Sequence, residues 1–244
     1  MSGKAPIVEW PLEINSFEVD QNSNIKTVSL QNLLQEVAYK GSDFCGCGPD
    51  VMQSRGLFWA LNRIHFSILR CPRWGDSVVL QTWSRGQVGP LWHRNFRMVA
   101  QDGVPIVLGT SAWTVVDYRE RALFRGELGF DQSFHHEEDT LPFCTKILIP
   151  RDLEQNPAGS HTVVWSDIDT NGHANNCAYT QWVLDAMPVD YVRNHVVKDV
   201  QVNYNHEIHL GEKVDFFMSR AENLWFVTGR TGEKVCFSVR LEFD

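Results

Sequence analysis

The chain has 244 residues, 43% of them hydrophobic, and a formal net charge of −8. That suffices for one large core or two smaller ones, but no stretch approaches a membrane span, and Met1 to Glu9 carries neither a secretory core nor an Arg/Ser-rich leader. The acidic balance without a long basic run argues against a nucleic-acid surface, and six scattered cysteines read as reduced thiols in a soluble, cytoplasmic protein.

In chain order, the first predicted helix runs from Leu30 to Tyr39. Ile64, Phe66 and Ile68 then alternate with more polar residues as a half-buried strand does. Strands follow over Val78 to Arg85, Trp92 to Ala100 and Val104 to Val116, with Gln101-Asp102-Gly103 as a turn. Residues 135–160, with His135-His136-Glu137-Glu138-Asp139, Pro142, Pro150 and Asn156-Pro157-Ala158-Gly159, read as a linker whose Ile147-Leu148-Ile149 packs against a domain. A second helix, apolar on most sides and therefore wrapped by other structure, spans about Asn176 to Met187 and is stopped by Pro188. Beyond it come strands at Val200 to Tyr204, Lys213 to Arg220, Leu224 to Thr228 and Val235 to Phe243, with Thr231-Gly232-Glu233 as a turn.

Trp74-Gly75-Asp76 and Leu210-Gly211-Glu212 are 136 residues apart, and at that offset Ile64, Phe66 and Ile68 fall on Val200, Val202 and Tyr204. A helix followed by antiparallel strands, made twice, predicts an α+β fold, a tandem hot-dog: residues 1–134, a linker over 135–160, and residues 161–244.

Just ahead of the second helix, Asp169, Asn171 and His173 put a carboxylate, an amide and an imidazole beside the N–H groups of a helix start, a setting for attack on a carbonyl. The same residues could build no more than a capped turn. The repeat argues for chemistry. No histidine lies between Glu18 and Asn24, and Glu207 falls on Cys71. Asn175 and Asn176 read as capping residues, and Cys177 as a small helix residue. His206 and His209, without a third ligand evident nearby, do not make a metal site.

The run Trp165-Ser-Asp-Ile-Asp169-Thr-Asn171-Gly-His173-Ala-Asn175-Asn176-Cys-Ala-Tyr179, with Trp182 and Pro188 after it, resembles the acyl-acyl-carrier-protein (acyl-ACP) thioesterases of plant plastids and their bacterial relatives. Its pattern Asp-x-Asn-x-His-x-Asn-Asn-x-x-Tyr is met throughout, and Asn203-Tyr204-Asn205-His206-Glu207 resembles the family's Tyr-x-x-Glu. Gly56-Leu57-Phe58-Trp59 and Ile64 to Trp83 also resemble its first hot-dog. Two positions depart: Ile208 stands where many plant members have cysteine, and Gly172 where glutamine is common. Both departures, and the lack of a transit peptide, resemble a bacterial member.

The resemblance implies Asp169, Asn171, His173 and Glu207 as catalytic residues, no cofactor or metal, and hydrolysis of fatty acyl-ACP that ends chain elongation in fatty acid biosynthesis. The acyl chain is expected along Trp59, Ile64, Phe66, Ile68 and the first helix. Arg85, Arg94, Arg97, Arg119, Arg121 and Arg125 are expected to form an exposed patch for the acidic carrier protein. Alternatives left open are an acyl-CoA thioesterase, a hydratase or dehydratase on the same fold, and a non-catalytic acyl-thioester module. A homodimer is allowed but not required, since a tandem chain supplies its own pairing. Strict alternation from Val200 turns Glu207 away from Val202 and Tyr204, so a bulge, or a site between the hot-dogs, is expected to bring it to His173.

Overall fold

The computed structural model describes residues 7–129 and 141–244. The His135 to Asp139 part of the expected linker, and the first six residues of the N-terminal segment, lie outside them. The chain divides into two compact units, residues 1–62 with 66–144, and residues 63–65 with 145–244.

In the first unit, strands β1 (Val8–Glu13), β2 (Leu57–Ile68), β3 (Ser77–Val88), β4 (Leu91–Ala100), β5 (Pro105–Asp117) and the short β6 (Ala122–Leu123) accompany helices α1 (Thr27–Phe44) and α2 (Pro49–Ser54). The strand order is β1-β3-β4-β5-β2, with β6 paired to β5. α1 turns Leu30, Leu34 and Val37 fully inward at helical spacing. Each such side chain contributes roughly 1.5–3 kcal/mol by leaving water. The helix ends where Gly46 takes φ +70 and donates its N–H to the Asp43 carbonyl, a left-handed stop that glycine adopts without steric cost.

The second unit holds β7 (Asn156–Thr162), α3 (Asn176–Ala186), α4 (Val189–Asn194), β8 (Val197–Tyr204), β9 (Lys213–Ala221), β10 (Leu224–Thr231) and β11 (Lys234–Phe243). Its order, β7-β9-β10-β11-β8, repeats that of the first unit strand for strand. Each unit is thus an antiparallel sheet with one long helix, and the tandem hot-dog is the fold observed.

The structure departs from the sequence reading at the edges. β1 and β7 were not expected, and β7 takes up the end of the stretch read as linker. Both lie at the end of their unit's strand order. Pro11 sits in β1, where an edge strand tolerates a missing N–H. β7 carries Pro157 and Gly159 (φ +95) at a break in its register with β9. Pro188 does end α3, but it also caps α4, so the chain turns into a second helix. α3 is not wrapped on all sides: Gln181 and Asp185 are hydrogen-bonded to each other on an exposed face. In the linker Ile147 is buried and Leu148 exposed. No described helix is long and apolar enough to cross a membrane.

Candidate active site

The segment before α3 is a tight loop built by its own side chains. The Asp169 carboxylate accepts from the Asn171 N–H (2.8 Å) and, at 3.3 Å, from the Asn171 side-chain amide. The Asp169 N–H returns to the His173 carbonyl at 3.0 Å. Gly172, at φ +81, makes the reversal between them. Asn175 then caps α3, its side-chain oxygen accepting from the Cys177 N–H at 2.8 Å. That bond leaves one fewer N–H at the helix start to face a substrate carbonyl.

Glu207 arrives from β8, but not by the expected route. The strand ends at Tyr204, and residues 205–209 form a loop to which the alternation of a strand no longer applies. The loop is pinned by the fully buried Ile208, whose carbonyl accepts from the Ala174 N–H at 2.8 Å. No bulge is needed, and all four residues lie in the second unit.

The resulting geometry is asymmetric about the imidazole. Nδ1 of His173 lies 3.2 Å from the Ala174 carbonyl, which can only accept, so the neutral ring carries its proton there. Nε2 is left basic and faces Glu207 Oε1 at 3.9 Å, while Asp169 Oδ1 is 4.0 Å from Nδ1. The His173 and Asp169 side chains are 17% and 12% exposed and that of Glu207 35%, so the pair is reachable from solvent on the carboxylate side. Cys177 is not a nucleophile: burial, with the Asp169 charge nearby, pushes its thiol well above the usual range.

Just upstream, the Asp167 carboxylate accepts from His161 Nε2 (2.8 Å), the Val164 N–H (2.8 Å) and Trp182 Nε1 (3.1 Å). Burial opposes its charge, yet these bonds prevail and hold the carboxyl below its usual range. The sequence reading missed this cluster, for which the spacing of the three residues gives no signal.

It also missed a second copy of the loop. Asp20, Asn22, Ser23 and Asn24 stand 149 residues before Asp169, Asn171, Gly172 and His173. The Asn22 N–H donates to Asp20 Oδ1 at 2.8 Å, the Asp20 N–H to the Asn24 carbonyl at 2.8 Å, and Ser23 takes φ +61. The Ile25 N–H reaches the Pro72 carbonyl as Ala174 reaches Ile208. Same backbone, different chemistry: asparagine replaces the histidine, and Cys71 replaces the glutamate.

Of the expected acyl contacts, Ile64, Phe66 and Ile68 are buried, whereas Trp59 is half-buried. Trp59 donates Nε1–H to the Cys47 carbonyl and meets Trp92 edge-on at 5.9 Å. Trp92 in turn lines a cavity of about 450 Å³ together with Val115, Phe124 and Leu128. The arginine patch breaks up. The guanidinium of Arg94 is turned inward, bonded to Thr82 Oγ1 at 3.1 Å and packed on Gly41. Arg85 bonds the Leu141 carbonyl and Arg97 the Gln81 side chain, which leaves Arg119, Arg121 and Arg125 exposed.

Comparison with known proteins points one way. A family model of the acyl-ACP thioesterase N-terminal domain matches residues 9–126, and one of the C-terminal domain matches residues 151–236. An oleoyl-ACP thioesterase of Arabidopsis thaliana is 28% identical over 229 residues, covering 83% of this chain, and a dodecanoyl-ACP hydrolase of Cinnamomum camphora is 28% identical over 215 residues, covering 80%. The chain spans 60% and 54% of the length of those relatives. Two solved structures are similar in fold. An acyl-ACP thioesterase from Bacteroides thetaiotaomicron gives a TM-score of 0.89 at 23% identity, covering 98% of both chains. The 12:0-ACP thioesterase of Umbellularia californica gives 0.81 at 22%, covering 98% of this chain and 97% of its own.

Proposed function

The chain belongs to the acyl-ACP thioesterase family, and from that premise we propose that it hydrolyses fatty acyl-ACP to free fatty acid and holo-ACP, ending chain elongation in the cytoplasm. The observation that carries the mechanism is the 3.9 Å gap between Glu207 Oε1 and the basic Nε2 of His173. A water about 2.8 Å from both atoms bridges that gap at an angle of about 90°. Glu207 takes the proton as the water oxygen attacks the thioester carbonyl, with His173 orienting the water and sharing its charge. A tetrahedral intermediate forms. Its collapse breaks the C–S bond, and the carboxyl proton passes to the leaving thiolate, so that acid and thiol are released and the site is restored.

Asp169 builds the loop that aims His173, and the Asn171 amide orients substrate or water. The second unit is the catalytic one. The acyl chain is assigned to strand β2, along Trp59, Ile64, Phe66 and Ile68, all but Ile64 in the first unit. Of these Trp59 keeps accessible surface, and the other three are buried and contact a chain only if the packing around them opens. The deciding experiment is a hydrolysis panel of acyl-ACP and acyl-CoA thioesters of graded length. Thiol release with preference for the ACP series is the expected outcome. Dehydration of 3-hydroxyacyl thioesters without hydrolysis, or binding without turnover, would overturn the reading.

A further inference from the structure

The two copies of the loop allow a subtraction. What both copies share belongs to the fold, and what the C-terminal copy has alone is left for function. Both share the Asx turn, the positive φ, and an acidic residue that caps the preceding 3-10 turn. Glu18 accepts from the Asn15 N–H at 2.7 Å where Asp167 accepts from Val164. In both, the carbonyl of that acidic residue takes the N–H of the last loop residue, Lys26 or Asn175, at 2.8 Å.

The difference lies in who else holds the carboxylate. Asp167 is gripped by His161 from β7 and by Trp182 from α3, and the two rings stack at 4.7 Å with 28° between their planes. In the first copy Glu18 is held besides by the side-chain amide of Asn15 at 2.9 Å, a neighbour in its own turn, while the residues 149 positions before His161 and Trp182 are Leu12 and Leu33, which bring no donor. A charged hydrogen-bonding triad with donors from β7 and α3 stands only in the copy that carries His173 and Glu207. It ties β7, the 3-10 turn and α3 together at the root of the loop. From there the Asp167 carbonyl holds Asn175, and Ala174 beside it holds Ile208, next to Glu207.

We infer that His161, Asp167 and Trp182 form a positioning network that fixes the separation of His173 from Glu207. This rests on the hydrolysis reading above. The network touches no substrate; it acts by holding a loop in place, and a shift of about 1 Å at a reacting group can cost on the order of 100-fold in rate. The carboxylate acts as the hub because hydrogen bonds to a charged acceptor are the strong ones. The stacked indole fixes the angle from which the imidazole donates.

The test uses the full chain with His161→Ala, His161→Gln and Trp182→Phe. His161→Ala is expected to lower kcat by about 10- to 100-fold with KM within about twofold of wild type. His161→Gln, whose amide still donates to Asp167, is expected to return to within about threefold. Trp182→Phe keeps a ring in the stack, loses one N–H donor, and is expected to lose about tenfold. A His161→Ala enzyme within twofold of wild-type kcat, or a glutamine variant no better than alanine, would overturn the inference. An independent readout is the His173 imidazole NMR signal, expected to shift in His161→Ala and to be restored in His161→Gln. An unmoved signal in His161→Ala overturns positioning. If the wild type hydrolyses nothing, the hydrolysis reading fails by itself and the NMR arm still decides. Should His161→Ala not fold, the Trp182→Phe pair of measurements carries the same decision.

Discussion

Replacing Glu207 by glutamine is the cleanest perturbation of the proposed chemistry. The amide matches the carboxylate in size, and Ile208 and the Ala174 N–H pin the loop that carries it. Two effects add. Loss of a general base costs about 100- to 10,000-fold, or roughly 3–5 kcal/mol of barrier. Loss of the carboxylate charge also removes its attraction, at 3.9 Å, for the positive charge His173 takes up as the water reacts, which for a full unit charge lies between about 1 kcal/mol, its value in water, and about 4 kcal/mol at an effective dielectric of 20. With the side chain one-third exposed, the lower part of that range applies. The variant should therefore melt within about a degree of wild type, bind thioester with unchanged KM, and release thiol at least about 100-fold more slowly in a chromogenic thiol assay. A Glu207→Gln enzyme that keeps more than about a tenth of wild-type kcat would refute the base assignment and move the role to His173.

Four further outcomes follow from particular contacts. Gly229→Ala drives a Cβ into the ring of Phe237, which is fully buried and meets Tyr179 at 4.9 Å, so it should cost about 3 kcal/mol and lower Tm by about 6–12 °C in a thermal melt. Gly172→Asn should cost under about 1 kcal/mol by denaturant titration, because a Cβ there meets nothing within 4 Å and Ser23 holds the same turn at positive φ. Asp167 has a folded pKa below its unfolded value, so it stabilises above the unfolded pKa of about 3.9 and loses that contribution as pH falls through the folded value; in Asp167→Asn this acid-side slope in Tm should flatten, measured below about pH 4. Native Cys177, its thiol raised by burial, should resist iodoacetamide at pH 8 and react only after unfolding, as mass spectrometry would show.

The strands that face a helix on one side and something polar on the other were readable from sequence because their side chains keep period two; β11, from Val235 to Phe243, is the clearest. β1 and β7 were not, since Pro11, Pro157 and Gly159 signal a break anywhere except at a sheet edge, and edges are decided by tertiary order. Arg94 shares its strand face with Phe96 and Met98, so its inward turn was available from alternation but was outweighed by its charge. At the site, the residues of the Asp-Asn-His loop were legible because they sit together in the chain. The approach of Glu207 was not, because it depends on β8 stopping at Tyr204. The duplicate loop was hidden by arithmetic: the loops are 149 residues apart and the strands 136, since α1 is longer than α3 and β2 longer than β8. One offset could not align both.

The turn at Asp20 to Asn24 closes with no imidazole in it and no carboxylate opposite. Folding and turnover are therefore separable in this architecture: erasing His173 and Glu207 together should yield a chain that still assembles its loop, still accepts a thioester, and never lets it go as acid. Such a chain would act as a molecular trap, stalling its cargo at the threshold of a reaction that the wild type completes.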